Sequence, residues 1–575
     1  MDRLPAVKSI LDYIYEHEAA TPGLVYLTQP VGQGKVIDYT WGEVLSQSRR
    51  MAAYLQGLGL APGSTIGMLS KNCAHFIMAE LAIWMAGYTT VAIFPTESAS
   101  LIGYVLKHSE ARLLFVGKLD SWEQQLPGVP DGLPRIAFPL ASAGSGAPWD
   151  EIIANQPPIP GKPARRDDEL AMLIYTSGST GQPKGVMHSF GGISRSAEII
   201  AGAVEHGAHE RYLSYLPLAH VTERAYLSCA TLIAGGHVFF AERLETFVAD
   251  LQRARPTFFI SVPRLWLKFQ QGVFAKVPAR QLDFLLRVPI LGKLVGRKIL
   301  ASLGLDQVRL AGSGSAPIPP ELIVWYRRLG LFLLEGYGMS EDFALSHLST
   351  PERNAPGCVG VPYPGVQVRI GEQGEVQIKS PGRMMGYYKR PDLDAESFTE
   401  DGYFRTGDLG EISPNGLLKV SGRLKELFKT AKGKYVAPAP IENMLNNHPM
   451  VELSLVSGVG QPAAYGLVML AEQLRGHVQD AAVRERIVAE LAALLKEVNS
   501  KLSCYEQLQM LVISSDLWSI ENGKLTPTMK IRRSAIEASV NEKMPGWYAP
   551  NQEILIRHII WSSVISGVGR IGMRC

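Results

Sequence analysis

Between residues 65 and 94 the chain alternates strand and helix in a way that leaves few folds open. Thr65-Ile66-Gly67-Met68-Leu69 is a short apolar run, an apolar helical pattern follows over 73–87, and a second apolar run occupies 90–94. Strands that are apolar throughout are buried on both faces, and a helix-length crossover between them makes them parallel. Similar units recur at 171–175, 257–262 and 307–310, each short, apolar and closed by Gly, Ser or Pro. An α/β layered architecture is therefore expected. Over 357–420 the texture changes to short alternating segments with turns, such as Glu375-Val376-Gln377-Ile378, which predicts small antiparallel sheets or a barrel. Mixed α/β returns after Gly422, with a strand at 451–459 and an amphipathic helix at 483–502. The expected division is a body over 1–421, a smaller domain over 422–550 and a tail over 551–575 with no assigned role.

Composition removes several function classes. A formal net charge of +3 on 575 residues carries no nucleic-acid footprint, so no nucleic-acid partner is expected. Cys73, Cys229, Cys358, Cys504 and Cys575 are widely separated, without a CxxC pair or a histidine at ligand spacing, which speaks against a zinc site or a disulfide framework. The opening residues lack a signal-peptide pattern. The longest charge-free apolar stretch, 225–241, is short for a membrane span and is broken by Gly235-Gly236, which reads as helix, turn and strand. A cytoplasmic chain is expected. One local exception to the neutral balance is 275–300, where Lys276, Arg280, Arg287, Lys293, Arg297 and Lys298 face a single acid, Asp283, among apolar residues. A solvated basic face is one reading of it, and peripheral contact with a membrane surface or an anionic ligand is the other.

The chemistry is concentrated in four segments. Tyr175-Thr176-Ser177-Gly178-Ser179-Thr180-Gly181-Gln182-Pro183-Lys184-Gly185 follows an apolar strand; its hydroxyls and backbone N–H groups can converge on phosphate oxygens, and Lys184 adds a point charge. It departs from the GxxxxGK[ST] pattern, which removes the main support for kinase or GTPase chemistry. Glu335-Gly336-Tyr337-Gly338-Met339-Ser340-Glu341 sets an aromatic ring between glycines and ends in a hydroxyl and a carboxylate suited to phosphate and Mg²⁺. Arg405-Thr406-Gly407-Asp408 presents a carboxylate on a turn, able to accept from two adjacent hydroxyls. Ser421-Gly422-Arg423-Leu424-Lys425-Glu426-Leu427-Phe428-Lys429 is the fourth. Each alone reads equally as a turn with solvated charges.

Together and in this order the four segments resemble the adenylate-forming superfamily of acyl- and aryl-CoA synthetases, firefly-type luciferases and peptide-synthetase adenylation domains, over about 38–535. The resemblance implies a large N-terminal domain of two α/β subdomains plus a small β-barrel, and a smaller mobile α+β C-terminal domain hinged within 421–425. It implies that Thr176, Ser177, Gly178, Ser179, Thr180, Gly181 and Lys184 hold the β- and γ-phosphates of ATP, and that Gly314 and Ala316 line the adenine and acyl pocket. Glu335, Gly336, Tyr337, Gly338 and Met339 form the adenine segment, with Tyr337 stacked on the base. Ser340, where the family more often has Thr, meets the α-phosphate, Glu341 ligates Mg²⁺, Asp408 binds the ribose and Arg423 lies near ribose and phosphate.

Leu525-Thr526-Pro527-Thr528-Met529-Lys530 resembles the catalytic-lysine motif of long-chain synthetases, with Lys524 as a rival to Lys530. Lys429 and Gly433 are assigned to the thioester conformation and its CoA pantetheine tunnel. Leu216-Pro217-Leu218-Ala219-His220-Val221-Thr222-Glu223-Arg224 resembles the segment that sets a histidine, here His220, beside the acyl carboxylate, with a Glu-Arg ending like that of the long-chain subgroup. The implied enzyme is a cytoplasmic fatty acid–CoA ligase, monomer or homodimer, taking ATP, Mg²⁺, CoA and a long- or medium-chain acid, with the inner membrane face as a second location. A fatty-acyl-AMP ligase serving a carrier protein, an aryl-CoA ligase, a luciferase-type side activity and a non-catalytic nucleotide-binding scaffold stay open as alternatives.

Overall fold

The structure, a computed structural model, describes residues 7–177, 182–526 and 529–548. By internal contacts the chain forms two compact units, the first of residues 1–369 and 377–405, the second of 370–376 and 406–575.

An eight-stranded sheet organises the first unit. Its strand order is Gly386–Tyr387, Pro183–Ser189, Leu170–Ser177, Thr89–Ile93, Thr65–Leu69, Leu114–Val116, Arg135–Ala137 and Ala147–Pro148. The central strands are parallel, Thr65–Leu69 pairing with Thr89–Ile93 on one side and Leu114–Val116 on the other. The expected crossover is the helix Ala74–Met85, every residue of which is buried, as its all-round apolar sequence requires. Two antiparallel strands complete one edge, Pro183–Ser189 pairing with Leu170–Ser177 and Gly386–Tyr387 pairing with Pro183–Ser189. The run expected at 171–175 is thus longer than its apolar core: cross-strand pairing carries it through Thr176 and Ser177.

A five-stranded sheet runs Phe258–Ser261, Leu310–Ser313, Leu333–Tyr337, His347–Leu348 and Val361–Pro362, the first three parallel. The strand expected at 307–310 begins only at Leu310 and continues into Gly312 and Ser313, which pair with Ile260 and Ser261. A third sheet contains Arg211–Ser214, His237–Phe240, Val25–Gly32 and Lys35–Thr40. The apolar stretch 225–241 resolves as expected into helix, a left-handed Gly235 and a strand, its first turn being π-helical over Arg224–Cys229.

Two long-range ties hold that turn. Glu223 accepts from Ser214 Oγ at 2.7 Å, from Asn72 Nδ2 at 3.2 Å and from the Tyr215 N–H at 3.2 Å, and burial pushes its carboxyl up to about 8. Arg224, fully buried, pairs with the equally buried Glu80 of the helix Ala74–Met85. Leaving one member of such a pair without the other typically costs about 3–5 kcal/mol, so the pair fixes the turn against that helix.

In the second unit the strands Val451–Ser457, Ala464–Leu470 and Leu508–Ile513 form one sheet, the first pair antiparallel and the second parallel. Alternate residues serve opposite faces. Val456, Val468 and Leu511 pack with Ile441, Ile487 and Leu491 from the helices Pro438–Asn446 and Ala481–Ser500. Leu455, Leu467 and Val512 pack with Trp518, Leu525 and Ile536 on the other side. Four strands, Gln367–Ile370, Glu375–Lys379, Phe404–Ile412 and Leu418–Arg423, form a further sheet in that order, its last two strands antiparallel. The tail over 551–575 lies outside the described residues.

Candidate active site

The first unit gathers the phosphate segment and the Tyr337 segment. Gly178, Ser179, Thr180 and Gly181 lie outside the described residues, but the hairpin that carries them is defined, with Thr176 opposite Lys184 and Ser177 opposite Pro183. Lys184 Nζ stands 5.0 Å from the centre of the Tyr387 ring, within cation–π range. The Tyr387 hydroxyl donates to Glu341 Oε1 at 2.8 Å. Tyr387 reaches this place because Gly386–Tyr387 forms a two-residue edge strand on Pro183–Ser189, Tyr387 opposite Val186. Burial, then the Glu341 charge, raises its phenol and keeps it a donor. Lys184, Tyr387 and Glu341 therefore form one contact chain, of which sequence reading had found the two ends and missed the middle.

A second missed residue is His188, two residues beyond Val186 on the same strand. Its Nε2 donates to the Ser340 carbonyl at 2.8 Å, and burial draws its pKa down to about 4, so it is a neutral donor that fixes the start of the Ser340–Asp342 turn. Asp342 closes that turn by accepting from the Met339 N–H at 2.9 Å, its own carboxyl pushed up to about 8 by burial. Gly338 is required here: a Cβ would stand 2.7 Å from the Ala344 backbone.

Tyr337 is half-buried and pairs across strands with His347, ring centres 6.1 Å apart. Gly314 and Ala316 follow the strand Leu310–Ser313, whose Ser313 pairs with Glu335, so they and Gly336 lie at the carboxyl ends of neighbouring parallel strands. Open α/β sheets offer ligands a crevice at that end. Glu335 itself is buried; it accepts from the Gly357 N–H at 2.9 Å, and burial pushes it up to about 7, so the side chain anchors a loop.

His220 caps the short helix Val221–Glu223, its Nδ1 accepting from the Thr222 N–H at 3.2 Å, with Phe94 edge-on at 6.4 Å. The Glu223-Arg224 ending that follows it points inward to the buried ties described above, and a small cavity lined by Tyr212, Thr222, Glu223, Tyr226 and Phe258 lies against the same turn.

The second unit brings together Asp408, Arg423 and Lys530. Asp408 and Arg423 are cross-strand partners, Arg423 Nε donating to Asp408 Oδ1 at 3.0 Å, the carboxylate buried and the guanidinium exposed. Lys530 follows the anchored Leu525; its N–H donates to Thr526 Oγ1 at 3.1 Å and its carbonyl accepts from the Thr526 N–H at 2.8 Å. Pro527 and Thr528 of this motif lie outside the described residues. Loss of water around the Lys530 ammonium, and then the Arg423 charge, lowers it to about 8, with Asp408 and Glu426 opposing. Lys524 is engaged elsewhere, on Asp516. Lys429 and Gly433 lie on one hairpin: Phe428–Lys429 pairs with Tyr435–Val436, Lys429 Nζ is 5.5 Å from the Tyr435 ring centre, and the Gly433 N–H donates to the Thr430 carbonyl at 2.9 Å. Among the described residues no group of three or more His, Cys, Asp or Glu is placed to hold a metal ion by itself.

An α/β body with a lysine, a carboxylate and a hydroxyl-rich hairpin at its strand ends, joined to a smaller unit carrying an acid–base pair beside a lysine, defines a nucleotide-binding enzyme of two units. The chain belongs to the AMP-binding enzyme family: residues 15–388 match that family, and residues 426–552 match its AMP-binding enzyme C-terminal domain. It is 32% identical over 571 residues to the long-chain-fatty-acid–CoA ligase FadD15 of Mycobacterium bovis, covering 91% of this chain and 94% of that one. It is 29% identical to the human long-chain-fatty-acid–CoA ligase 1, covering 88% and 81% of the two chains. Among solved structures its fold is similar to the carboxylic acid reductase A-PCP didomain from Segniliparus rugosus in complex with AMP, with a TM-score of 0.78, 22% identity and coverage of 95% and 82%. It is likewise similar to ATP-bound MatB from Rhodopseudomonas palustris, with a TM-score of 0.73, 21% identity and coverage of 94% and 100%.

Proposed function

We propose that this enzyme is an AMP-forming fatty acid–CoA ligase, which adenylates a long- or medium-chain acid with ATP and passes the acyl group to CoA. The convergence of Lys184, Tyr387 and Glu341 from three separate segments carries the reading, since a cation and a carboxylate joined in this way would suit a triphosphate and its metal ion. The acid is proposed from the similarity to relatives named long-chain-fatty-acid–CoA ligases, which extends over most of both chains.

A carboxylate is a poor electrophile, so the reaction runs in two halves. In the first, the acid, held beside His220, attacks the α-phosphorus of ATP in line and pyrophosphate leaves. The hairpin with Lys184 holds the β- and γ-phosphates, Tyr337 stacks on adenine, Asp408 accepts from the ribose hydroxyls, and Lys530 neutralises charge on the oxygens around the α-phosphorus. Glu341 suits Mg²⁺, because a single carboxylate matches an ion that retains water and phosphate ligands. That ion, when bound, would neutralise charge on the triphosphate. In the second half the CoA thiol attacks the acyl-adenylate carbonyl and AMP leaves; a turn of the C-terminal domain about Lys425 withdraws Lys530 and presents Gly433 and Lys429 to the pantetheine arm.

Pyrophosphate release across a panel of fatty and aromatic acids, with and without CoA, tests this reading. Release should depend on a fatty acid, and thioester should form only with CoA. Release that ignores the carboxylate returns the chain to a nucleotide-binding scaffold, a preference for aromatic acids makes it an aryl-CoA ligase, and an adenylate discharged only by a carrier protein makes it a fatty-acyl-AMP ligase.

Tyr387 acts here as a positioning residue for Glu341. A hydrogen bond to a charged group contributes about 1.5–3 kcal/mol, so Tyr387→Phe should raise the Mg²⁺ concentration needed for half-maximal adenylation by about tenfold with little change in thermal unfolding. An unchanged Mg²⁺ dependence would remove Tyr387 from the site.

A further inference from the structure

The basic segment noted in the sequence folds as a helical hairpin, Ala279–Arg287 and Pro289–Ser302, within the first unit. One side is fastened to the body. Leu282, Gly292, Gly296 and Leu300 are buried; a Cβ on Gly292 would stand 2.7 Å from the Leu286 carbonyl oxygen, and one on Gly296 2.6 Å from that of Leu329. Arg328 of the helix Pro320–Leu329 adds an ion pair to Asp283 at 2.6 Å.

The other side contradicts the usual pattern of a surface helix, whose outward face is polar. At 100° per residue, Ile290 and Leu294 lie opposite Gly292 and Gly296, and they are 78% and 60% exposed; Phe284, on the first helix, is 70% exposed. Lys293, Arg297 and Lys298 flank them on the second helix, and Lys276, Arg280 and Arg287 are exposed on and before the first. The single acid, Asp283, is taken by Arg328. An apolar outward ridge bordered by cations alone is the composition of a helix that lies in a bilayer interface, its apolar residues among the acyl chains and its cations at anionic headgroups. Among the described residues no helix is long and apolar enough to cross a membrane, so contact through this face would be peripheral.

We propose that this hairpin docks the enzyme on an anionic phospholipid bilayer, with Phe284, Ile290 and Leu294 inserted and Lys293, Arg297 and Lys298 at the headgroups. Charge complementarity selects the occupant, since a zwitterionic surface or an acidic peptide would leave either the cations or the apolar ridge unanswered. The proposal does not depend on which acid the active site takes and can fail separately from it.

The test is co-sedimentation of the full chain with vesicles of phosphatidylcholine alone and of phosphatidylcholine mixed with phosphatidylglycerol, at low and high salt. The chain should bind the anionic vesicles and be released by salt. The combined substitutions Lys293→Gln, Arg297→Gln and Lys298→Gln should lower partitioning on the order of a hundredfold, from the contribution of each juxtamembrane cation. Ile290→Ser with Leu294→Ser should weaken it about tenfold or more and make the residual binding more salt-sensitive. Both variants should keep the wild-type unfolding temperature and pyrophosphate release with a water-soluble acid. Absence of binding by the wild-type chain, equal binding by either variant, or a change in oligomeric state without lipid, which would assign the face to a second copy of the chain, overturns the proposal.

Discussion

Lys530→Ala is expected to lower acyl-adenylate formation by at least 10²–10³-fold, the usual cost of removing a preorganised charge from a phosphoryl or acyl transition state. Thioester formation from supplied acyl-adenylate should be almost untouched, because the proposed rotation removes Lys530 before CoA attacks. Equal loss of both half-reactions would show that the substitution damages the unit rather than one step. The same lysine sets a pH dependence. Its ammonium is lowered to about 8 in the free enzyme, so the charge is complete well below that pH and is lost as pH rises through it. kcat/KM for adenylation should accordingly fall on the alkaline side near 8, and Lys530→Arg, which stays charged, should remove that limb even at reduced rate. A profile that keeps its alkaline limb in the arginine variant would assign the titration to another group.

Lys425→Pro is expected to give the opposite pattern. Lys425 is the second residue of the short turn Leu424–Glu426, a position where proline's fixed φ is tolerated, and the Leu427 N–H that closes the turn onto the Arg423 carbonyl at 3.2 Å is left in place. The resting fold should survive, with acyl-adenylate formation within about twofold of wild type. What proline removes is backbone freedom at that residue, so thioester formation should fall about ten- to a hundredfold if φ there must change during each cycle. Normal thioester turnover in this variant would move the hinge away from Lys425, for instance toward Arg405 and Thr406, where internal contacts divide the two units.

How much of this could be read in the chain depended on how local the signal was. Thr65–Leu69 and its crossover helix were legible because an apolar strand, a helical period and a second strand are adjacent, and the hydroxyl-rich hairpin was legible because its special residues are consecutive. Tyr387 left no such trace: it belongs to a two-residue strand, and the carboxylate it serves is 46 positions away. His188 reads as one more strand residue until Ser340 arrives from 152 positions away. The Glu223-Arg224 ending was legible only as a family-like motif, and its structural task, ties to Ser214, Asn72 and Glu80 from distant segments, left no trace in the sequence. Lys530 was preferred to its rival Lys524 on the motif alone, and the Asp516 contact of Lys524 and the charges around Lys530 now separate their surroundings.

The alternating burial of the three strands in the C-terminal unit means that neighbouring residues of one polypeptide stretch answer to different demands. Val456, Val468 and Leu511 face helices whose task is cohesion, whereas Leu455, Leu467 and Val512 support the layer holding Trp518, Leu525 and the approach to Lys530. Large-to-small substitution at either set should cost stability, and at the second it should also loosen the layer that anchors Leu525. The proposed placement of one ammonium therefore rests on the same three strands that hold the unit together, one face at a time.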